Sequence, residues 1–186
     1  MTKILIVVDE QIDFTSGILG NKECEATVKT SVDVINENKY DEIYLTRDTH
    51  QKNYLETQEG RNLPVEHCIE GTDGWQIRPE IIEAVNHKYG SNVHYGSNVH
   101  FIDKPSFGSL YLANRLKEEY FVEQENVEIT LIGVCTGICV ISNAMLIKAA
   151  LPEAKVKVIE KACACVTPES HKNAIEAMKM CQICIE

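Results

Sequence analysis

The stretch VEITLIGVCTGICVISNAMLIKAA, residues 127–150, decides the fold. Residues 127–134 form a nearly continuous apolar run of strand length, and residues 139–150 carry apolar side chains at helical spacing. Between them GVCTGICV (133–140) makes a glycine-punctuated turn holding Cys135 and Cys139. A strand that enters a helix through a tight turn is half of a βαβ unit.

The same pattern recurs along the chain. ILIVV (4–8), EIYLT (42–46) and VHFI (99–102) are further apolar runs, and KVKVIE (155–160) alternates more. Segments with helical spacing lie at roughly 24–37, 76–86, 108–120, 139–150 and 168–180. Strands alternating with helices predict a parallel sheet with right-handed crossovers, and continuous apolar runs suit strands buried on both faces. The expected fold is therefore α/β: a three-layer, Rossmann-like arrangement with a mostly parallel central sheet of five to six strands and helices on both faces. Thr167-Pro168-Glu169 supplies a helix start, with Thr as cap, Pro in the first turn and an acid at the positive end.

Bulk properties narrow the function classes. With 186 residues the chain is long enough to bury a core and is expected to form one domain over 1–186. A formal charge of -10, with acidic residues scattered, argues against a nucleic-acid partner, which needs clustered Lys and Arg. No segment approaches the ~18 apolar residues of a membrane span, and MTKILIVVDE runs too soon into charge for a signal peptide. No membrane partner and a cytoplasmic location are expected. The eight cysteines are then read as free, catalytic or metal-bound.

In open α/β sheets ligands bind beyond the carboxyl ends of the strands. There the sequence places Asp9, then Asp48 and His50, then Lys104, then the GVCTGICV turn. Cys139, in the first turn of its helix, would meet free backbone N–H groups and the positive helix end. Such placement can lower a thiol pKa to ~3.5–7.5, and the same N–H groups could hold a developing oxyanion. Its other reading is a small buried hydrophobe, which suits Cys135 better. Asp9 could take the thiol proton if burial raises its pKa, with Lys104 holding it in place. A plain salt bridge between the two stays open.

The polar span 47–75 shows no obvious secondary structure, and loops of that length are usually functional. It offers Asp48, His50, Glu56 and His67, a set suited to zinc, manganese or iron(II). A competing metal reading uses the thiols Cys163, Cys165, Cys181 and Cys184. Phe14, Phe107 and Trp75 are candidate pocket walls. The tandem hexapeptide YGSNVHYGSNVH (89–100) is too short for a solenoid. It leaves the start of the third strand ambiguous by one repeat, with His94 and His100 read as solvated or packed.

These segments together resemble the cysteine hydrolases of the isochorismatase-like superfamily, and within it the nicotinamidases. VVDEQIDF is similar to the family's opening V-V-D-x-Q-x-D-F. TRDTH with LPVEHC and EGTDGW resembles its metal loop, DKPSFGS its lysine segment, GVCTGICV its nucleophile turn and ACACVTPESH its closing strand-to-helix segment. The resemblance implies Asp9, Lys104 and Cys139 as a catalytic triad and backbone N–H groups of Cys135 and Cys139 as an oxyanion hole. It implies a divalent metal, zinc first, on Asp48, His50 and His67, with Glu56 as a further acidic ligand. Phe14 would pack on the substrate ring, and a non-proline cis peptide would fall at Val134–Cys135. One departure is Gly137, where many relatives carry Asp. The implied activity is hydrolysis of a small carboxamide, nicotinamide to nicotinate first, through a thioester. Another amide or carbamoyl hydrolase, an isochorismatase-like hydrolase, and a thiol-rich metal- or redox-binding protein are the alternatives. A homo-oligomer is left open.

Overall fold

The computed structural model describes residues 1–90 and 98–186. Among them the chain runs β1 (Thr2–Val8), α1 (Ile12–Thr15), α2 (Lys22–Glu37), β2 (Glu42–Asp48), α3 (Gln58–Asn62) and α4 (Pro79–Tyr89). It continues through β3 (Val99–Lys104), α5 (Leu110–Tyr120), β4 (Val127–Val134), α6 (Ile141–Ala150), β5 (Lys155–Ala164), α7 (Pro168–Met180) and β6 (Cys184–Ile185). The six strands form one sheet in the order β3-β2-β1-β4-β5-β6, every pair parallel.

Side-chain alternation builds the three layers. Along β1, Ile4, Ile6 and Val8 enter one core, which α5, α6 and α7 close through Leu112, Ala144 and Ile175. Leu5 and Val7 enter the other, closed by α2 and α4 through Val28, Ile35 and Ile81. Period-2 geometry makes this separation automatic once both faces are apolar. The order in which strands are added reverses between β1 and β4: earlier strands extend the sheet to one side, later ones to the other. With right-handed crossovers, that reversal puts the helices on opposite faces and opens a crevice at the strand ends.

Local chemistry sets the boundaries. The Asn21 side chain accepts from the Cys24 amide (2.7 Å) and starts α2. Ser109 caps α5 through the Leu112 amide (3.1 Å). Thr167 and Ser170 cap α7 reciprocally, with Pro168 in the first turn. The third strand begins at Val99, in the second copy of the hexapeptide. His100 is packed there, its ring 4.6 Å from that of Tyr44. Residues 91–97, with His94, lie outside the described residues. The span after β2 is not structureless: a 3-10 turn (Tyr54–Glu56) leads directly into α3.

Candidate active site

Three strand ends deliver three side chains to the crevice. Asp9 follows β1 with a left-handed φ of 49°, an uncommon conformation for a non-glycine residue. Lys104 ends β3, and Cys139 stands in a single π-helical turn, Thr136–Val140, after β4. Lys104 Nζ lies 2.6 Å from Asp9 Oδ2, 3.5 Å from Asp48 Oδ1 and 3.7 Å from Cys139 Sγ. All four residues are buried. The Thr46 hydroxyl donates to Asp9 Oδ1 (2.6 Å), which fixes the carboxylate.

Charge at this junction follows from burial. Burial pushes the Asp9 carboxyl up; Lys104 draws it back, and the net position stays above the ordinary range. Burial works against the Lys104 charge, yet Asp9, Cys139 and Asp48 hold its ammonium protonated more firmly than usual. For Cys139 the expected lowering of the thiol is corrected. Burial and the neighbouring Asp9 carboxylate push it well above the ordinary thiol value. The resting sulfur is thus a neutral thiol beside a carboxylate and an ammonium.

The turn itself is tightly determined. The Val134–Cys135 peptide is cis. The Cys135 carbonyl accepts from both the Ile138 (3.0 Å) and Val140 (3.1 Å) amides. Asn143 Nδ2 donates to the Cys139 carbonyl (2.8 Å), and its Oδ1 accepts from the Ser109 amide (3.0 Å), tying the turn to the start of α5. Gly133 has φ 115°, and a Cβ there would come 2.1 Å from the Val8 carbonyl oxygen, so only glycine lets β4 pass β1 at this point.

Beside the triad, Asp48, His50, Glu59 and His67 present ligand atoms that all lie within 4.8 Å of one another. His50 Nε2 is 3.1 Å from Asp48 Oδ2 and 3.5 Å from Glu59 Oε1; His67 Nε2 is 3.8 and 3.9 Å from the same two oxygens. His67 Nδ1 donates to the Val65 carbonyl (2.8 Å), which leaves Nε2 free to ligate. Burial opposes ionisation of Asp48, but the His50 hydrogen bond and Lys104 hold its carboxyl below the ordinary range. Two imidazoles and two carboxylates fit a borderline-hard divalent ion.

The fourth member corrects the expectation of Glu56. Glu56 is exposed in the 3-10 turn, whereas Glu59 lies in the first turn of α3 and faces the histidines. Thr57 sets this orientation by accepting from the Gly60 amide (3.0 Å). That capping threonine, two residues before an acid, was the available signal. The all-thiol metal reading is also corrected. Cys184 pairs with Lys157 of β5, six residues before Cys163, a separation of about 20 Å along a strand.

A cavity of about 200 Å³ opens over Cys139 and the carboxylates. Phe14, Leu19, Leu63, Phe107 and Ile138 make its apolar wall, and Cys135 also lines it. Trp75 does not; it lies under the Arg47 guanidinium (4.0 Å) and donates Nε1–H to Thr49 Oγ1. Sequence reading passed over Gln11, which clamps the end of β2. Its Nε2 donates to the Asp48 (2.9 Å) and Trp75 (2.8 Å) carbonyls, while its Oε1 accepts from the Asp48 amide (2.7 Å).

Comparison with known proteins bears on this arrangement. The family model described as "Isochorismatase domain" matches residues 3–186. No curated protein matches the chain. Among solved structures, the nicotinamidase/pyrazinamidase of Bacillus subtilis is similar at 23% identity and TM-score 0.80, covering 100% of this chain and 99% of that one. The pyrazinamidase/nicotinamidase of Streptococcus mutans UA159 is 24% identical with TM-score 0.80, each chain covered in full (100%). The pyrazinamidase of Pyrococcus horikoshii, solved in complex with zinc, is 24% identical with TM-score 0.75, covering 100% of this chain and 99% of that one.

Proposed function

The chain belongs to the isochorismatase family, and from that premise we propose that it is a cysteine-dependent amidohydrolase acting on a small carboxamide, nicotinamide first. One observation carries the proposal: a buried ammonium stands 2.6 Å from a carboxylate and 3.7 Å from the sulfur of Cys139, the one of the three residues that lines the largely apolar cavity. The cavity, about 200 Å³, is smaller than the pockets of drug-sized ligands and suits a single ring.

In this reading Cys139 Sγ attacks the amide carbon while Asp9 takes the thiol proton. A neutral thiol needs such a base, and an Asp with a raised pKa can both accept the proton and return it to departing ammonia. Lys104 keeps Asp9 oriented and offsets the negative charge gathered on carboxylate and sulfur. Amides of the 135–139 turn, those of Cys135 and Cys139, receive the developing oxyanion, each donor being worth about 3–4 kcal/mol in the transition state. Water then cleaves the thioester with Asp9 as base. A divalent ion, zinc first, on Asp48, His50, Glu59 and His67 would supply a Lewis-acidic point for the substrate's ring nitrogen and for water. Phe14, whose ring centroid lies 5.4 Å from that of His67, would press on the ring face.

Ammonia release from nicotinamide and a panel of small amides tests the proposal. Cys139→Ala is expected to abolish release while the fold and metal content stay intact. Turnover near the wild-type rate in that variant would refute the covalent route.

A further inference from the structure

The nucleophile turn is tethered to two helices. Asn143 fixes the Cys139 carbonyl to the start of α5. The second tether comes from α7 and ends on Thr136, the first residue of the π-helical turn, which is fully buried. Thr136 Oγ1 lies 2.8 Å from His171 Nδ1. Among the described residues, His171 is the hydroxyl's one hydrogen-bond partner. The Thr136 carbonyl meanwhile accepts the Ile141 amide, which closes the turn around Cys139. Thr136 is thus held twice: its carbonyl inside the turn, its hydroxyl by α7.

Local chemistry brings the imidazole there. The Thr167 cap fixes where α7 starts, and the His171 amide donates to the Thr167 carbonyl (3.0 Å), one turn in. A Cβ on Gly137 would come 3.3 Å from Cys165 Sγ, 3.4 Å from the Ser170 carbonyl oxygen and 3.5 Å from Ala174 Cβ, so α7 lies directly against the turn. On its other side the ring meets β5, with Nε2 3.7 Å from Glu160 Oε1. A carboxylate beside Nε2 favours the proton on that nitrogen; Nδ1 is then the acceptor and the Thr136 O–H donates to it. His171 lines a separate cavity of about 300 Å³ between α2 and α7 and is not part of the catalytic cavity's wall. Its reach to the chemistry runs through Thr136.

We infer that His171 is a positioning residue for the nucleophile: its Nδ1 pins the Thr136 hydroxyl and, through it, the turn that presents Cys139. A buried hydroxyl stripped of its partner turns to find another. Gly137, next in the chain, has no side chain to resist that rotation. The Ile141 amide follows the Thr136 carbonyl, and Cys139 lies between the two. A displacement of about 1 Å at a reacting centre costs on the order of 100-fold in rate. The walls of the catalytic cavity stay in place, so the loss falls on kcat and not on KM.

This role rests on the proposed thiol chemistry, and two readouts keep the two apart: turnover of nicotinamide, and the rate at which iodoacetamide alkylates Cys139 in the native full chain, located within the tryptic peptide 118–148. His171→Asn retains an acceptor where Nδ1 stood; His171→Leu has a similar shape without one. His171→Leu should lower kcat and the alkylation rate by up to about 100-fold at unchanged KM, and His171→Asn should keep most of both. Wild-type rates in His171→Leu, or His171→Asn as slow as His171→Leu, would overturn the inference. Thr136→Val removes the hydroxyl, and combined with His171→Leu it should be no slower than either change alone; additive losses would overturn the coupling. Should His171→Leu not fold, Thr136→Ser, which keeps the hydroxyl, should hold the rates that Thr136→Val loses, and equal rates in these two would refute the role. Absence of turnover in the wild-type protein would count against the proposed function, while the alkylation rates still decide the part played by His171.

Discussion

Glu10 shows what a single buried acid does to this molecule. It is fully buried beside the triad, with Ser31 Oγ donating to its Oε1 (2.7 Å). Burial raises its pKa from 4.5 to about 7, against the hydrogen bonds of Ser31 and Thr27. Between those two values the folded chain binds more protons than the unfolded chain, so stability falls as pH rises through the window. The full cost above the window is about 3 kcal/mol. Glu10→Gln keeps an acceptor for Ser31 and removes the titration. Its melting temperature is expected to fall less than that of wild type between pH 5 and pH 8, crossing above it at the alkaline end; parallel curves would be the contrary result. Asp9 behaves differently because its partner is charged. Asp9→Asn should lower turnover by about 10²–10⁴-fold and, by leaving Lys104 buried against only Asp48, lower stability by about 3–5 kcal/mol. Adding Lys104→Met should return the stability but not the turnover, measured by thermal melting and ammonia release on the same preparations.

At the scale of elements, α3 decides the acidic member of the metal group. Glu56 and Glu59 are three residues apart, yet one lies in an exposed 3-10 turn and the other in a capped helical turn facing His50 and His67. Gly60 makes the close packing of those two turns feasible: a Cβ there would fall 2.1 Å from the Tyr54 carbonyl oxygen. Glu59→Gln should therefore weaken divalent-ion affinity at least about tenfold, while Glu56→Gln leaves it unchanged, as read by competition with a chromophoric chelator. The reverse ranking would return Glu56 to the group. The difference explains why Asp48 and His50 were legible in the sequence as candidate ligands and the fourth candidate, Glu59, was not. Asp48 ends a strand, whose direction an apolar run announces. Glu59 sits in five helical residues, too few to show a period. The same contrast separates α7, whose Thr-Pro-Glu start predicted its first residue, from the π-helical turn, where an ordinary helix start was expected.

For the whole molecule, the parallel sheet was readable because both faces of each central strand are apolar and helical spacing separates the strands, whereas the reversal of strand order between β1 and β4 was not. What patterning could not supply was the charge state of Cys139, which depends on burial and on Asp9, 130 positions earlier in the sequence. Edge strand β6 was missed as well, since two residues carry no alternation. Long-range assembly has a thermodynamic consequence at the metal group. Its four side chains come from the end of β2, the following turn, α3 and the segment before Cys68, and the unfolded chain keeps none of that geometry. An ion that binds only the folded chain adds about 2.7 kcal/mol at a hundredfold excess over its Kd. For a chain of this size that corresponds to a rise in Tm of roughly 5–11 °C. Protein stripped with a chelator and retitrated with zinc should show this rise, and Glu59→Gln a smaller one at equal zinc. The rise should shrink as pH falls, because His50 must be neutral to ligate and, although burial disfavours its cation, the Asp48 hydrogen bond and charge hold its pKa above the ordinary value, so protons compete with the ion for its ring. An unchanged Tm at saturating zinc would mean that the four side chains do not act as one binding unit.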